Sequence, residues 1–123
     1  MTDRMMTLAA VEHLCLRALL AAGASETNAA AVARSTMLAE RDGIRSHGLL
    51  YVPIYAEHVR AGKVDGMARP FVSRPRPGAV VVDAATGFAH PAIDAGWEPF
   101  IAAARENGVA VMTLFNSYNC GVL

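Results

Sequence analysis

The segment Arg45-Ser46-His47-Gly48 has the residue types needed for proton transfer. Pro53 follows closely, and proline is tolerated mainly in the first turn of a helix, so a helix over 49–61 begins near Leu49. His47 then lies at or just before a helix N-terminus, where the positive end of the dipole favours a neutral imidazole that accepts a proton. Ser46 could orient the ring or bind a substrate oxygen. This pattern suits deprotonation of a hydroxyl group, and it also suits a serine cap followed by a surface histidine.

A second candidate is the polar segment from Asn116 to the last residue, Leu123. It follows a predicted strand and contains Gly121, and loops of this kind often contact ligands, although a plain turn also fits. No metal site is predicted, because His47 and His58 lie about three helical turns apart and the other histidines have no ligand-spaced partner.

Three helices are predicted to position the histidine segment, and together they form an N-terminal helical segment, residues 1–62. Apolar residues recur at three- and four-residue steps in each of them. The first helix is predicted over 8–22, with Thr7 as its N-cap and Gly23 following its C-terminus. The second is predicted over about 26–41, with Ser25 as its N-cap. The third helix, about 49–61, ends at Gly62.

The second half of the chain predicts a small sheet. Residues 63–78 are rich in Gly, Pro and Arg and indicate a linking segment. Two apolar runs, 79–83 and 109–115, predict buried strands joined by a helix over about 91–107 that Pro99 should kink or split. Trp97 and Phe100 are predicted to be core residues. Because two strands do not make an independently stable sheet, residues 79–123 predict the start of an incomplete mixed sheet in an α+β fold.

The composition excludes several classes of protein. The chain has 11 basic and 11 acidic side chains and a formal net charge of zero, which argues against a nucleic-acid or anionic membrane surface as the main partner. No apolar run reaches the roughly 18 residues of a membrane span, and no signal-peptide pattern is present. Cys15 and Cys120 lie far apart and form no metal or disulfide pattern, so a reducing cytoplasmic compartment is predicted.

The histidine segment also carries a family resemblance. Asp42 to Tyr55 contains Ser-His-Gly with Pro53 six residues after the histidine, and a helix ending at Gly62 follows. Later blocks occur in matching order: Val82-Asp83, Gly87, Arg105 to Ala110 and Asn116 to Gly121. In these features the chain resembles the type-2 malate/L-lactate dehydrogenases, NAD(P)-dependent oxidoreductases that include ureidoglycolate, sulfolactate and diketogulonate enzymes and imino-acid reductases. Gly87-Phe88-Ala89 is not a dinucleotide phosphate loop, which agrees with that family's non-Rossmann sheet domain.

The resemblance implies roles for particular residues. His47 corresponds to the family's proton donor and acceptor, and Ser46 is its neighbour in the proton relay. The cofactor loop, which binds NAD or NADP, corresponds to Asn119, Cys120, Gly121, Val122 and Leu123.

Two positions depart from the family pattern. Tyr51 stands where the family usually has an arginine for the substrate carboxylate, so Tyr51 or Arg45 would bind that group. A phenol cannot form the bidentate ion pair of an arginine. Asn119 stands where many members have a histidine.

The resemblance covers about the first third of a typical member, and the acidic partner of the relay would lie beyond residue 123. We therefore expect the N-terminal part of an oxidoreductase that transfers a hydride between a 2-hydroxy acid and NAD(P), with little turnover by itself. The expected partners are the 2-hydroxy or 2-oxo acid and a second copy or a complementing C-terminal piece. The alternatives are one piece of a split enzyme and a non-catalytic α+β interaction module.

Overall fold

A computed structural model describes residues 3–118 of the chain. Its elements are, in order, α1 (Leu8–Ala22), α2 (Glu26–Arg41), α3 (Val52–Arg60), β1 (Phe71–Arg76), β2 (Ala79–Asp83), α4 (Ala89–Asn107) and β3 (Val111–Phe115). Two 3-10 turns, Arg45–His47 and Leu49–Tyr51, lie between α2 and α3. The α+β class is confirmed, with helices preceding a three-stranded mixed sheet.

Side-chain caps fix α1 and α2 where the sequence predicts them. The Thr7 hydroxyl accepts a hydrogen bond from the amide of Ala10 at 3.1 Å, and Ser25 accepts one from Asn28 at 3.2 Å. Each bond satisfies an amide that has no partner inside the helix. Gly23 ends α1 with φ of 111°, a left-handed conformation in which a side chain would be strained.

The start of α3 differs from the prediction. The α-helix begins at Val52, with Pro53 in its first turn as expected, and the preceding residues Leu49–Tyr51 form a tighter 3-10 turn. His47 lies in its own 3-10 turn, Arg45–His47, just before the 3-10 turn that runs directly into α3.

The sheet has the strand order β1-β2-β3. β2 and β3 are parallel, with Val80 opposite Met112 and Val82 opposite Leu114, and α4 connects them. α4 runs without interruption through Pro99, so the predicted split does not occur. Among residues 3–118, no helix combines the length and the hydropathy needed to cross a bilayer.

Strand β1 lies inside the predicted linking segment and was missed. It pairs antiparallel with β2, and its register shifts between Ser73 and Arg76, around Pro75. Proline lacks the amide proton that strand pairing needs, so it is found on edge strands and at bulges. β1 is an edge strand, and its register shift around Pro75 is a bulge. This strand shows no apolar alternation, because nearly all of its residues are exposed.

The described part of the chain covers one face of the sheet. α4 packs closely on that face, since a Cβ added at Gly96 would lie 2.7 Å from a Val82 methyl carbon. On the other face Phe71, Val111 and Phe115 are 70%, 60% and 53% exposed. β3 is thus not the buried strand predicted from its apolar run, and Trp97, predicted as core, is also exposed.

The helical core includes residues from beyond the helical segment. Side chains from the first three helices pack in one cluster with Val64 and Phe88. Asn28 on α2 is 2% exposed and donates two hydrogen bonds of 2.9 Å, to the carbonyls of Gly66 and Ala68. These contacts fix the segment after α3, and with it the nearby ends of β2 and β3, against the helices.

Candidate active site

Ser46 and His47 are in direct contact. Their 3-10 turn is closed by hydrogen bonds from the amide of His47 to Ile44 and from the amide of Gly48 to Arg45. Within it the Ser46 hydroxyl and Nδ1 of His47 are 2.9 Å apart. The hydroxyl can therefore hold one nitrogen of the ring, while Nε2 has no protein partner among residues 3–118. A histidine held at one nitrogen and open at the other can move a proton to or from a ligand.

The Glu40 side chain stabilises the segment that follows this turn. Its Oε1 accepts a hydrogen bond of 2.8 Å from the amide of Leu49, which begins the next 3-10 turn. Gly48 leaves the room for this contact, because a Cβ there would lie 2.6 Å from Cδ of Glu40. A side chain at position 48 would therefore displace the Glu40 carboxylate from its hydrogen bond to Leu49.

Tyr51 lines a polar cavity of about 400 Å³, which we call the tyrosine cavity. It lies between α3 and the carboxyl ends of β2 and β3. The residues that line it are Tyr51, His58, Lys63, Thr86, Asn116, Ser117 and Tyr118. Neither His47 nor Arg45 is among them, and Arg45 is exposed on the surface. The structure thus separates the predicted substrate residue Tyr51 from the predicted substrate residue Arg45.

Tyr118 is the centre of the hydrogen bonds in this cavity. Its hydroxyl lies 2.5 Å from Nδ1 of His58 and also hydrogen-bonds to Tyr51. Partial burial, and then the neighbouring Tyr51, raise the pKa of Tyr118 to about 12. The phenol therefore keeps its proton at neutral pH and remains a hydrogen-bond donor. Beneath it, the Tyr55 ring packs edge-on at 6.0 Å between centroids.

The cavity wall is formed by strained backbone at the strand ends. Ala85 and Thr86, after β2, have φ of 53° and 61°, and Asn116, after β3, has φ of 55°. This conformation costs residues such as Ala85 and Thr86 roughly 1–2 kcal/mol each, whereas asparagine adopts it more readily. Hydrogen bonds hold it in place, from the amide of Thr86 to Asn116 and from the amide of Tyr118 to Gly87, both 2.8 Å. Strain of this kind is concentrated at functional sites.

Sequence reasoning missed His58, Lys63 and Tyr118 as members of a common site. His58 and Tyr118 are 60 positions apart, and no local spacing marks them as neighbours. The one available signal was that Lys63 is the only lysine of the chain. The predicted cofactor residues Asn119, Cys120, Gly121, Val122 and Leu123 lie outside the described residues. Within residues 3–118 no group of three or more His, Cys, Asp or Glu side chains could hold a metal ion.

A second cavity is apolar and lies between α2, α4 and β3. This groove has a volume of about 580 Å³, and Leu38, Trp97 and Leu114 are among the residues that line it. Arg34 and Asp94 form an ion pair at its rim, in which one guanidinium nitrogen donates to both carboxylate oxygens at 2.9 and 2.7 Å. Of the candidate site residues, Ser117 lines this groove as well as the tyrosine cavity, whereas Ser46, His47 and Tyr51 do not line it.

Comparisons with known proteins agree on one family. The malate/L-lactate dehydrogenase family model matches residues 6–123. A Δ1-pyrroline-2-carboxylate reductase of Ancylobacter novellus is 41% identical over 118 residues, which cover 96% of this chain and 35% of that protein. A (2R)-3-sulfolactate dehydrogenase (NADP⁺) of Chromohalobacter salexigens is 42% identical over 123 residues, which cover 98% of this chain and 36% of the relative.

Solved structures agree in fold. The crystal structure of a Δ1-piperideine-2-carboxylate reductase from Pseudomonas syringae superposes with a TM-score of 0.90 at 34% identity, over 94% of this chain and 35% of that one. A malate dehydrogenase from Entamoeba histolytica gives a TM-score of 0.86 at 23% identity, over 96% of this chain and 33% of that one, a likeness of fold alone. The chain thus spans about a third of the length of the proteins it matches.

Proposed function

We infer, since this chain belongs to the malate/L-lactate dehydrogenase family, that it is the N-terminal portion of an NAD(P)-dependent oxidoreductase. The proposed reaction transfers a hydride between the carbon of a small 2-hydroxy acid and the cofactor, with the 2-oxo acid as its oxidised form. The observation that carries this proposal is the 2.9 Å contact between Ser46 and Nδ1 of His47, which leaves Nε2 open to a ligand.

In the proposed mechanism His47 handles the proton. When Nδ1–H donates to the Ser46 hydroxyl, Nε2 carries the lone pair and can accept the proton of a substrate hydroxyl. In the reverse direction the same nitrogen returns the proton to the carbonyl oxygen. Positioned proton transfer of this kind is typically worth about 10²–10⁴ in rate.

The cofactor supplies the hydride chemistry when it is bound. The described residues fit one side of a nicotinamide site, because Asn116 and Ser117 offer an amide and a hydroxyl at the carboxyl ends of parallel strands. Ligands bind at this edge in open sheets of parallel strands. We propose that these two residues hold the nicotinamide end of NAD or NADP together with Asn119–Leu123, which come directly after them in the sequence.

A second candidate substrate is a cyclic imino acid. Two of the similar proteins, the Ancylobacter novellus reductase and a Pseudomonas putida reductase 44% identical over 101 residues, are described as acting on Δ1-pyrroline-2-carboxylate. For such a substrate the same His47 nitrogen would deliver a proton to the ring nitrogen while the ring carbon receives the hydride. Both substrate classes are carboxylates that differ in the atom that takes the proton.

The exposed face of the sheet is suited to binding another protein chain. The outer face of the sheet exposes Phe71, Val111 and Phe115, and β3 has no strand on its outer side among residues 3–118. Exposed apolar patches and open strand edges mark interaction sites. We propose that a complementing C-terminal piece or a second copy of the chain covers this face, and that the protein acts in the cytoplasm.

The test is complementation. The 123-residue chain is assayed alone and together with the C-terminal two thirds of the Ancylobacter novellus reductase, with NADH or NADPH and either pyruvate or Δ1-pyrroline-2-carboxylate. We expect little turnover by the chain alone and clear turnover by the combination. His47→Ala in the combination should lower kcat by at least about a hundredfold.

His13→Ala is the matched control, because His13 is exposed on α1 and lies on neither cavity. It should leave kcat unchanged. Near-normal turnover of His47→Ala would remove His47 from the mechanism. A combination that assembles and binds NADPH without turning over either substrate would instead support the non-catalytic interaction module.

A further inference from the structure

We infer that Glu40 is a positioning residue for His47. Its carboxylate holds the end of the segment that carries the histidine, and it thereby fixes the position of the open ring nitrogen, Nε2. This role rests on the proposed function, in which His47 transfers the proton. The hydrogen bond from Leu49 to Glu40 and the placement of the ring can be measured without turnover, so the two proposals can fail separately.

The segment between α2 and α3 has little support from the protein core. Residues 41–46 are all exposed, His47 is half-buried, and only Gly48 is buried. A segment with few buried apolar contacts opens easily, so hydrogen bonds must determine its path. The last turn of α2 supplies an acceptor for each end of this segment, one from the backbone of Ala39 and one from the side chain of Glu40.

The backbone alone fixes the point at which the segment leaves α2. The amide of Ile44 donates to the carbonyl of Ala39 at 2.8 Å, and the amide of Gly43 donates to the carbonyl of Glu40 at 3.2 Å. Gly43 has φ of 75°, and a glycine in this conformation is a common end of an α-helix. No side chain takes part in these bonds, so a substitution at position 40 leaves them available.

The return of the segment to the helices depends on the Glu40 side chain. Leu49 begins the 3-10 turn that runs into α3, and amides at the start of a helix have no partner inside it. Gly48, the residue before that turn, has no side chain that could accept this bond. Glu40 supplies the acceptor from nine positions earlier in the chain, at 2.8 Å. A carboxylate is also favoured at the positive end of a helix.

The position of His47 follows from these two attachments. The contact of 2.9 Å with Ser46 orients the ring only relative to its own turn. The turn must itself be fixed relative to the helices before Nε2 has a defined place. Proton transfer requires heavy atoms within about 2.6–3.2 Å, and a displacement of about 1 Å can lower a rate about a hundredfold. Glu40 therefore acts on the proposed reaction through His47.

The first test measures amide hydrogen exchange in the full 123-residue chain, and the ¹⁵N shifts of the His47 ring, by NMR. In Glu40→Ala we expect the amide of Leu49 to exchange at least about tenfold faster, because it has lost a charged acceptor. The ring shifts of His47 should move as well. The amide of Ala24, which is hydrogen-bonded at the end of α1 at 3.0 Å, should exchange within about twofold of the parent rate and reports on global stability.

Two conservative variants separate the reach of the side chain from its charge. Glu40→Gln keeps the length and an acceptor oxygen, and it should retain most of the protection of Leu49 and the parent ring shifts of His47. Glu40→Asp keeps the charge but is one methylene shorter, so it should behave like Glu40→Ala and can replace it if that variant does not fold. Glu98→Ala, at an exposed position of α4, is the matched control and should change neither measurement.

The second test measures turnover in the complemented protein. Glu40→Ala should lower kcat about tenfold and leave KM within about twofold, because the proton-transfer group is misplaced. In a His47→Ala background the same substitution should change kcat by less than about twofold, since effects that act through a removed group do not add. A merely structural role of Glu40 would lower kcat equally in both backgrounds.

Unchanged exchange of Leu49 and unchanged ring shifts in Glu40→Ala would overturn the inference, as would equal losses of kcat in the two backgrounds. The expected exchange and ring shifts in a complemented protein that has no turnover would support the positioning role and overturn the proposed function. Turnover that depends on His47 but not on Glu40 would do the reverse.

Discussion

Tyr118 and His47 show what the fold does for single side chains. His47 acquires its contact from the adjacent residue Ser46, and this pair is visible in the sequence. Tyr118 acquires its contacts from His58 and Tyr51, which lie on and just before α3. Local chemistry could therefore be predicted from spacing, whereas the tyrosine cavity exists only after the strand ends and α3 have packed together.

The titration of Tyr118 provides a prediction at this scale. Its pKa is raised to about 12 from an ordinary 10.0, chiefly by burial. The folded state therefore holds this proton more tightly than the unfolded state, and the resulting stability is fully present below pH 10 and is lost as the pH rises from 10 to about 12.

Tyrosinate absorbance measured against pH will test this, with chemical denaturation at each pH. We expect Tyr118→Phe to remove the latest tyrosine transition and to flatten the fall in unfolding free energy over that range. An unchanged late transition in Tyr118→Phe would assign the raised pKa to another tyrosine.

At the scale of elements, the sequence was informative where a local signal matched the final structure. α1 and α2 have the predicted bounds because Thr7, Gly23 and Ser25, which directly flank these helices in the sequence, cap their ends. β1 was missed because an exposed edge strand with a bulge at Pro75 has no buried face to produce an alternating pattern. β3 was predicted as buried because apolar residues line both of its faces, although α4 covers only one.

The turn after β2 offers a test of strain. Ala85 has φ of 53°, and glycine adopts this region at little cost. Ala85→Gly should raise the unfolding free energy by about 0.5–1 kcal/mol, since the relief of roughly 1–2 kcal/mol exceeds the entropy that glycine loses on folding. The measurement is chemical denaturation of both proteins.

The control is Ala95→Gly, at an exposed position inside α4. There the same substitution should destabilise the protein by about 1 kcal/mol, because the backbone is already helical. If Ala85→Gly also destabilised the chain, the left-handed conformation of Ala85 would carry no strain.

At the scale of the whole molecule, the helical segment depends on residues C-terminal to it. Val64 and Phe88, both outside residues 1–62, are buried in the helical core. The two carbonyl acceptors of Asn28, on Gly66 and Ala68, also lie outside that segment. Although the order of the helices was readable from the sequence, these long-range contacts were not, because nothing local marks them.

A peptide of residues 1–62 should therefore lack a cooperative unfolding transition. It loses the Phe88 ring, and removing a buried aromatic side chain typically costs about 3–5 kcal/mol. Thermal melts followed by near-ultraviolet circular dichroism will compare it with residues 1–118, which retain both core side chains. A cooperative melt of the short peptide near that of the longer one would show that the helices form a unit of their own.

The amide of Asn28 also has a consequence for the lifetime of the protein. Deamidation begins when the next backbone nitrogen attacks the side-chain carbonyl, and here the amide of Ala29 is held in the helix by a 2.8 Å bond to Ser25. Chemical ageing at this position must therefore wait until α2 opens. The aspartate formed would carry a carboxylate that cannot donate to the carbonyls of Gly66 and Ala68. A molecule damaged in this way could not form these two hydrogen bonds again. Rare openings of α2 would therefore produce, over time, a growing fraction of molecules that permanently lack them.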